Sequence, residues 1–150
     1  FIERTLCSND FIAINYYFHN RINFGFNKNK NEKISDLGWE LYPQGIENVI
    51  MSMARYGLPI FITESGIADS DDKYRPWYIE ETLKSIYNAI EKGADVKGYF
   101  HWSLLDNFEW DKGFWPEFGL VAVDRATMKR TPRKKSIETY KRIIKEGLND

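Results

Sequence analysis

Three short apolar runs alternate with long stretches of helical periodicity, and this alternation limits the fold more than any other feature of the chain. The runs are Asp10 to Phe18, Pro59 to Glu64 and Val96 to Leu104. All three are rich in the β-branched and aromatic residues that suit strands. After the first, Pro43 opens a helix on which Ile46, Val49, Ile50 and Met53 recur at one-face spacing, and Gly57 closes it. After the second, Pro76 opens a helix with Ile79, Leu83, Ile86, Tyr87 and Ile90 on one face, ended by Gly93. After the third and a long loop, Thr131 is expected to cap a last helix with Pro132 in its first position and Gly147 at its end. Ile137, Tyr140, Ile143 and Ile144 would be its buried stripe, and the Lys and Arg on its other face are read as solvated. Roughly 48 and 38 residues separate successive strands, too many for hairpins, so parallel pairing with right-handed crossovers is expected. The fold class is α/β, in one domain over residues 1–150. The spacing suits part of a barrel of alternating strands and helices, of which this chain supplies three strands.

The middle run ends in chemistry. Ile60, Phe61 and Ile62 are continuous and apolar, as in a strand covered on both faces. Thr63 and Glu64 then put polar groups at its C-terminal tip, the end at which parallel α/β folds bind ligands. Glu64 is therefore either a catalytic carboxylate or a solvated strand-end glutamate.

Composition removes several classes of function. Hydrophobic residues make up 43% of the 150, which excludes a disordered chain. A net charge of −1 gives no electrostatic case for nucleic acid or an anionic membrane. No apolar run approaches the roughly 20 residues of a membrane span. Cys7 is the only cysteine, so no internal disulfide or cysteine metal cluster is possible. With no visible signal peptide, it fits a reducing compartment, and a cytoplasmic location is expected. The chain opens on Phe1 to Leu6, read as the tail of a helix.

Five tryptophans are many for this length. Trp77, Trp102, Trp110 and Trp115 cluster near strand ends and loops, where indole faces could stack on sugar rings rather than fill a core. Two other segments carry no expected role. Asn27 to Lys33 reads as an exposed polar tip, and the acidic run Ala68 to Asp72 as a solvated loop without the spacing of a calcium site. His101 is assigned to core packing.

Several motifs point further. Thr63-Glu64-Ser65-Gly66-Ile67-Ala68-Asp69 resembles the nucleophile motif of glycoside hydrolase family 1, the β-glucosidase, β-galactosidase and β-mannosidase family. Trp102-Ser103-Leu104-Leu105-Asp106-Asn107-Phe108-Glu109-Trp110, followed by Phe118-Gly119-Leu120, is similar to that family's sugar-recognition stretch. Asp10 to Tyr17 looks like its sixth barrel strand, and Gly38 to Gly45 and Lys129 to Ser136 also fit.

The resemblance implies strands six to eight of a TIM (β/α)8 barrel and retaining hydrolysis of β-linked glycosides. It implies Glu64 as nucleophile, Tyr17 holding its carboxylate, and Asn15 in the surrounding network. Glu109 would accept hydrogen bonds from two sugar hydroxyls, Trp102 would be a stacking floor, and Trp110 would donate its indole N–H. Phe118 would pack beside the same subsite. Bottom-up alternatives stand beside these: a structural ion pair for Glu109, core packing for Trp102. Glu109-Trp110 with Glu117 would repel a phosphate, so a non-phosphorylated β-glycoside or oligosaccharide is the expected partner. No cofactor or metal is implied.

Two departures matter. The family pattern has Asn after the nucleophile, and this chain has Ser65. Retaining hydrolysis also needs a second carboxyl group about 5–5.5 Å from the first. In the family it lies in an Asn-Glu-Pro motif, and no Glu here precedes a proline. The expected further partner is therefore the missing N-terminal half of the barrel, in the same gene product or a second chain. The alternative is a catalytically inactive barrel fragment that binds sugar or complements a second chain.

Overall fold

The computed structural model describes residue 4 and residues 6–148. The helix tail expected at the start falls largely outside them. The strands in chain order are β1 (Ile12–Asn15), β2 (Ile22–Asn23), β3 (Phe26–Asn27), β4 (Ile60–Ser65), β5 (Val96–His101), β6 (Val121–Val123) and β7 (Arg130–Pro132). The helices are α1 (Gly45–Ala54), α2 (Arg75–Glu91) and α3 (Lys134–Glu146), with short 3-10 turns at Leu6–Ser8 and Trp110–Lys112. β1, β4 and β5 form one parallel sheet with β4 at its centre. The two small hairpins, β2 with β3 and β6 with β7, are antiparallel.

Helices cover one face of the sheet. Ile14 on β1 and Ile60 and Ile62 on β4 are buried against Ile46 and Ile50 of α1 and Ile86 and Ala89 of α2. The other face is open. Phe11 is 50% exposed and Phe100 58% exposed, and Phe11 meets Phe61 edge-on at 5.3 Å between ring centres. The continuous apolar run thus has helices on one side only, not the cover on both sides that its composition suggests. Side-chain direction explains the difference: alternate residues of β4 point to opposite faces, and the described residues place helices behind one of them.

Several sequence expectations are corrected. The first and third strands end at Asn15 and His101, short of Phe18 and Leu104. Within the polar tip only Asn27 joins a hairpin, pairing with Ile22; residues 28–33 follow as a mostly exposed loop. Thr131 and Pro132 do not cap a helix. They pair with Ala122 and Val121 in an antiparallel hairpin, and α3 begins only at Lys134. Sequence spacing could not distinguish a capping threonine from one recruited by Ala122, on the preceding strand.

Ile144 is 71% exposed, because Ser136, Tyr140 and Ile143 turn the inner face of α3 away from it. Tyr87 and Ile90 are also exposed. They line an apolar groove of about 750 Å³ between α2 and α3, together with Leu83, Ile86, Ile143 and Leu148.

The acidic loop is solvated only at Ser70 and Asp71. Asp69 and Asp72 are buried, and both serve Arg75, whose side chain is wholly inaccessible. The Arg75 guanidinium donates to Asp72 at 2.7 Å and to the carbonyls of Asp69 and Glu117 at 2.6 and 2.8 Å. The Asp69 carboxylate accepts the N–H groups of Tyr74 and Arg75 at the start of α2. Asp72 also accepts the backbone N–H and the hydroxyl of Ser136 on α3. A buried guanidinium is costly unless paired, so these loops hold their shape.

His101 packs into the core as its position on the strand suggests. Its Nε2 is buried without a hydrogen-bond partner. Burial, then the nearby Arg75 charge, lowers its pKa from 6.5 to about 3, against a pull from Asp72. The folded protein refuses a proton that the unfolded chain binds below pH 6.5, so stability falls as pH drops from 6.5 towards 3. The melting temperature should therefore decline through that window, and His101→Val should flatten the decline. An identical slope in the variant would refute the assignment.

Candidate active site

The site begins with a fault in the sheet. Strict alternation would put Glu64 on the helix-covered side with Ile60 and Ile62. The β4–β5 register shifts between Ile62 and Ser65, and the β1–β4 register shifts between Ile14 and Asn15. Ser65 thereby takes the buried helix-side position, its hydroxyl 3.3 Å from that of Tyr78 on α2. Glu64 is left half-buried at the strand tip, lining a cleft of about 320 Å³. Irregularities of this kind re-aim side chains at functional sites. Gly66 follows because nothing larger fits: a Cβ there would lie 1.7 Å from the Trp102 carbonyl oxygen.

Tyr17 lies beyond the end of β1, and its hydroxyl donates to Glu64 Oε2 at 2.5 Å. Burial, and then this bond and the Glu64 charge, raise the Tyr17 phenol well above its ordinary 10.0. It stays protonated and remains a donor. The Tyr17 ring is held edge-on between Trp39 and Phe118, both 6.1 Å away. The remaining walls are Trp39, Trp102, Asn107, Phe108, Glu109 and Trp110.

Most of the residues singled out from the sequence converge here. Glu64, Tyr17, Trp102, Glu109 and Trp110 all line the cleft. Glu109 accepts the Asn107 amide at 2.7 Å, a neutral donor and not a cation. Trp110 is 82% exposed, with its face available. Phe118 is buried behind the wall, touching the cleft through Tyr17 and Trp39. Asn15 is not part of the lining; its side-chain oxygen accepts the Thr63 hydroxyl at 2.6 Å. Trp39, Asn107 and Phe108 had no assigned role in the sequence. The signal for Trp39 was its place in a turn, directly after Gly38, but only the fold shows that this turn borders the tip of β4.

The loop carrying Glu109 and Trp110 is tied at its base. The Asp106 carboxylate accepts the N–H groups of Gly119 and Val123 at 2.8 and 3.1 Å. It also accepts Arg133 at 3.0 and 3.3 Å. Arg133 donates in turn to the Gly119 carbonyl at 2.7 Å and to the Glu117 carboxylate. Arg133 is thus buried and paired, contrary to the expectation of a solvated basic face at this end of the last helix. Removing one partner of such a pair strands the other charge. Asp106→Ala should cost about 3–5 kcal/mol in urea unfolding, and Lys112→Ala on the exposed rim less than about 0.5 kcal/mol. Equal effects would show that the tie is not structural.

The site defines a class: a parallel α/β fold with a strand-tip carboxylate held by a tyrosine, in a cleft walled by indoles, which suits sugar chemistry. Comparison with known proteins gives the family. The model for "Glycosyl hydrolase family 1" matches residues 4–148, and the chain belongs to that family.

A beta-galactosidase of Pyrococcus woesei is 50% identical over 111 residues, covering 74% of this chain and 22% of that protein. A 1,4-beta-D-glucan glucohydrolase of Thermotoga neapolitana is 35% identical, covering 94% and 36%. Among solved structures, the hyperthermophilic beta-glucosidase of Pyrococcus furiosus has a TM-score of 0.88 at 37% identity. That match covers 99% of this chain and 35% of the other. The Thermotoga maritima beta-glucosidase, solved in complex with castanospermine, has a TM-score of 0.86 at 31% identity, covering 94% and 36%. The chain therefore spans between about a fifth and two-fifths of the length of these relatives. Among the described residues, no helix is long and apolar enough to cross a membrane.

Proposed function

We propose that this chain is the nucleophile-bearing, C-terminal portion of a retaining β-glycosidase. It forms one domain contributing strands six to eight of a TIM (β/α)8 barrel, and it acts on non-phosphorylated β-glycosides once the barrel is complete. The observation that carries this reading is the Tyr17 hydroxyl 2.5 Å from the Glu64 carboxylate, at the tip of the central strand and beside a tryptophan-lined cleft.

In this reading an oxygen of Glu64 attacks the anomeric carbon while the glycosidic oxygen departs with the bonding pair. Tyr17 keeps the carboxylate aimed. Glu109 accepts from two hydroxyls of the sugar, Trp102 stacks beneath it and Trp110 donates from its indole N–H. Phe118 backs Tyr17, and Asn15 secures the neighbouring backbone through Thr63. The beta-galactosidase and beta-glucosidase names of the relatives support a β-linked hexoside as substrate. The Glu109 carboxylate lining the cleft supports a sugar without a phosphate.

The reaction also needs an acid to protonate the leaving group and then a base to activate water. No glutamate of this chain occupies an Asn-Glu-Pro motif. We assign that role to the rest of the barrel, from the same gene product or from a second chain. The exposed Phe11 and Phe100 on the helix-free face support a partner that packs there. The second reading, a catalytically inactive fragment that binds sugar or complements another chain, draws on the same two observations.

An aryl β-glucoside assay tests the proposal. The chain alone should give no turnover of a nitrophenyl glucoside, and addition of the complementary barrel portion should restore it. Glu64→Gln should abolish the restored activity, by at least about a thousandfold. Family-like turnover by the chain alone would overturn the division of roles. Failure of complementation, with sugar binding that disappears in Trp102→Ala, would favour the inactive fragment.

A further inference from the structure

Tyr17 has to be placed before it can hold Glu64, and the sheet does not place it. β1 ends at Asn15. The last ladder-like bond runs from the Tyr16 N–H to the Glu64 carbonyl at 2.9 Å. Beyond it the chain leaves the sheet, and the flanking rings of Trp39 and Phe118 grip only the Tyr17 side chain. The Tyr17 carbonyl is caught from outside the sheet, by the Tyr78 hydroxyl at 2.9 Å.

Tyr78 is wholly buried on the second turn of α2, its own N–H bonded to the Tyr74 carbonyl at 2.8 Å. It therefore presents its hydroxyl from a rigid base. A phenol has a single proton to donate. The Tyr16 carbonyl lies at 3.5 Å and the Tyr17 carbonyl at 2.9 Å, so the proton goes to Tyr17. The Ser65 hydroxyl, 3.3 Å away and also wholly buried, is then the donor to Tyr78. Burial raises the Tyr78 phenol well above its ordinary 10.0, which keeps it protonated and donating.

We propose that Tyr78 is a positioning residue for Glu64. Ser65 donates to Tyr78, Tyr78 donates to the Tyr17 carbonyl, and Tyr17 donates to Glu64. The relay starts and ends on adjacent residues of β4, so it closes a loop across the C-terminal tips of β1 and β4 through α2. Ser65, where the family pattern has Asn, is a hydroxyl donor to Tyr78, and the Thr82 hydroxyl on the next turn of α2 acts on Tyr78 in the same sense. The inference rests on the reading of Glu64 as nucleophile, but its geometry can be tested without that reading.

Two measurements decide it. The first is labelling of the full chain by 2,4-dinitrophenyl 2-deoxy-2-fluoro-β-glucoside, followed by mass spectrometry. A Glu64 oxygen bonds to C1 as the bond from C1 to the phenolate oxygen breaks. The dinitrophenolate leaves with the electron pair and needs no acid. Tyr78→Phe should slow labelling about tenfold, the rate equivalent of one lost hydrogen bond. In a Tyr17→Phe background the same substitution should slow it less than about twofold, because Tyr78 acts through Tyr17. Additive losses in the two backgrounds would mean a merely structural role and overturn the proposal.

The second is a crystal structure of Tyr78→Phe, a variant that keeps the ring volume. The Tyr17 hydroxyl should move out of hydrogen-bond range of Glu64; an unchanged contact would overturn the proposal. Absence of labelling both in the unsubstituted chain and after addition of the complementary barrel portion would count against Glu64 as nucleophile, and the crystallographic distance would still decide the positioning role.

Discussion

A single buried cation fixes the framework around the site. Arg75 has no access to water, and a guanidinium in that position is costly unless paired; both terminal nitrogens are answered, while Nε is buried without a hydrogen-bond partner. Three of its contacts are with the loop that leaves β4: the Asp72 carboxylate, the Asp69 carbonyl, and the Asp69 carboxylate reached through the Arg75 backbone N–H. A fourth is with the Glu117 carbonyl, on the far limb of the loop that carries Glu109 and Trp110. Asp69 reinforces that link by donating its N–H to the same carbonyl at 3.0 Å. Two segments separated by more than forty residues are thereby joined directly beneath the cleft. Phe118 follows Glu117 and leans on Tyr17, so the position of the arginine propagates to the tyrosine that bonds Glu64.

The second constraint is the break in register. In a regular parallel ladder, adjacent residues of β4 would send Glu64 inward to the helices and Ser65 outward. The opposite arrangement occurs, because the shift on both sides of β4 exchanges them. A buried glutamate facing Tyr78 would have to lose its charge or find a cation. A serine there asks only for one hydrogen bond, which Tyr78 accepts. The same irregularity therefore solves two problems: it keeps a carboxylate in the cleft and keeps the helix side free of unpaired charge.

These constraints also mark how far the sequence could be read. The strand–helix rhythm was legible because hydrophobic period is local: Ile46 and Ile50, or Ile79 and Ile86, announce their helices without reference to anything distant. The convergence of Glu64, Tyr17, Trp102, Glu109 and Trp110 was legible through the family resemblance, and less so from spacing. What escaped was long-range pairing. Asp72 reads as one more acid in a polar loop, and its burial depends on Ser136, sixty-four residues away. Thr131 reads as a helix cap until Ala122 claims its backbone. Arg133 looks like part of a basic face until Asp106 is brought beside it. In each case the side chain's chemistry was visible and its partner was not.

The open face of the sheet connects this framework to the proposed function. Within the described residues, three strands cannot close a barrel, and one edge each of β1 and β5 is left without a partner strand. Phe11, Phe61 and Phe100 lie on the face without helices, where a closed barrel would bury them in its interior. The geometry around Glu64 does not wait for that closure. Glu64, Tyr17, Tyr78 and Ser65 are connected entirely by contacts within this chain, and so is the loop bearing Glu109. In the proposed reading, the half of the mechanism that aims a carboxylate is internal to these residues. The half that moves protons to and from the glycosidic oxygen would come from a surface that meets the open face. Such a division would let the carboxylate be positioned by local folding, with turnover conditional on assembly of the whole barrel.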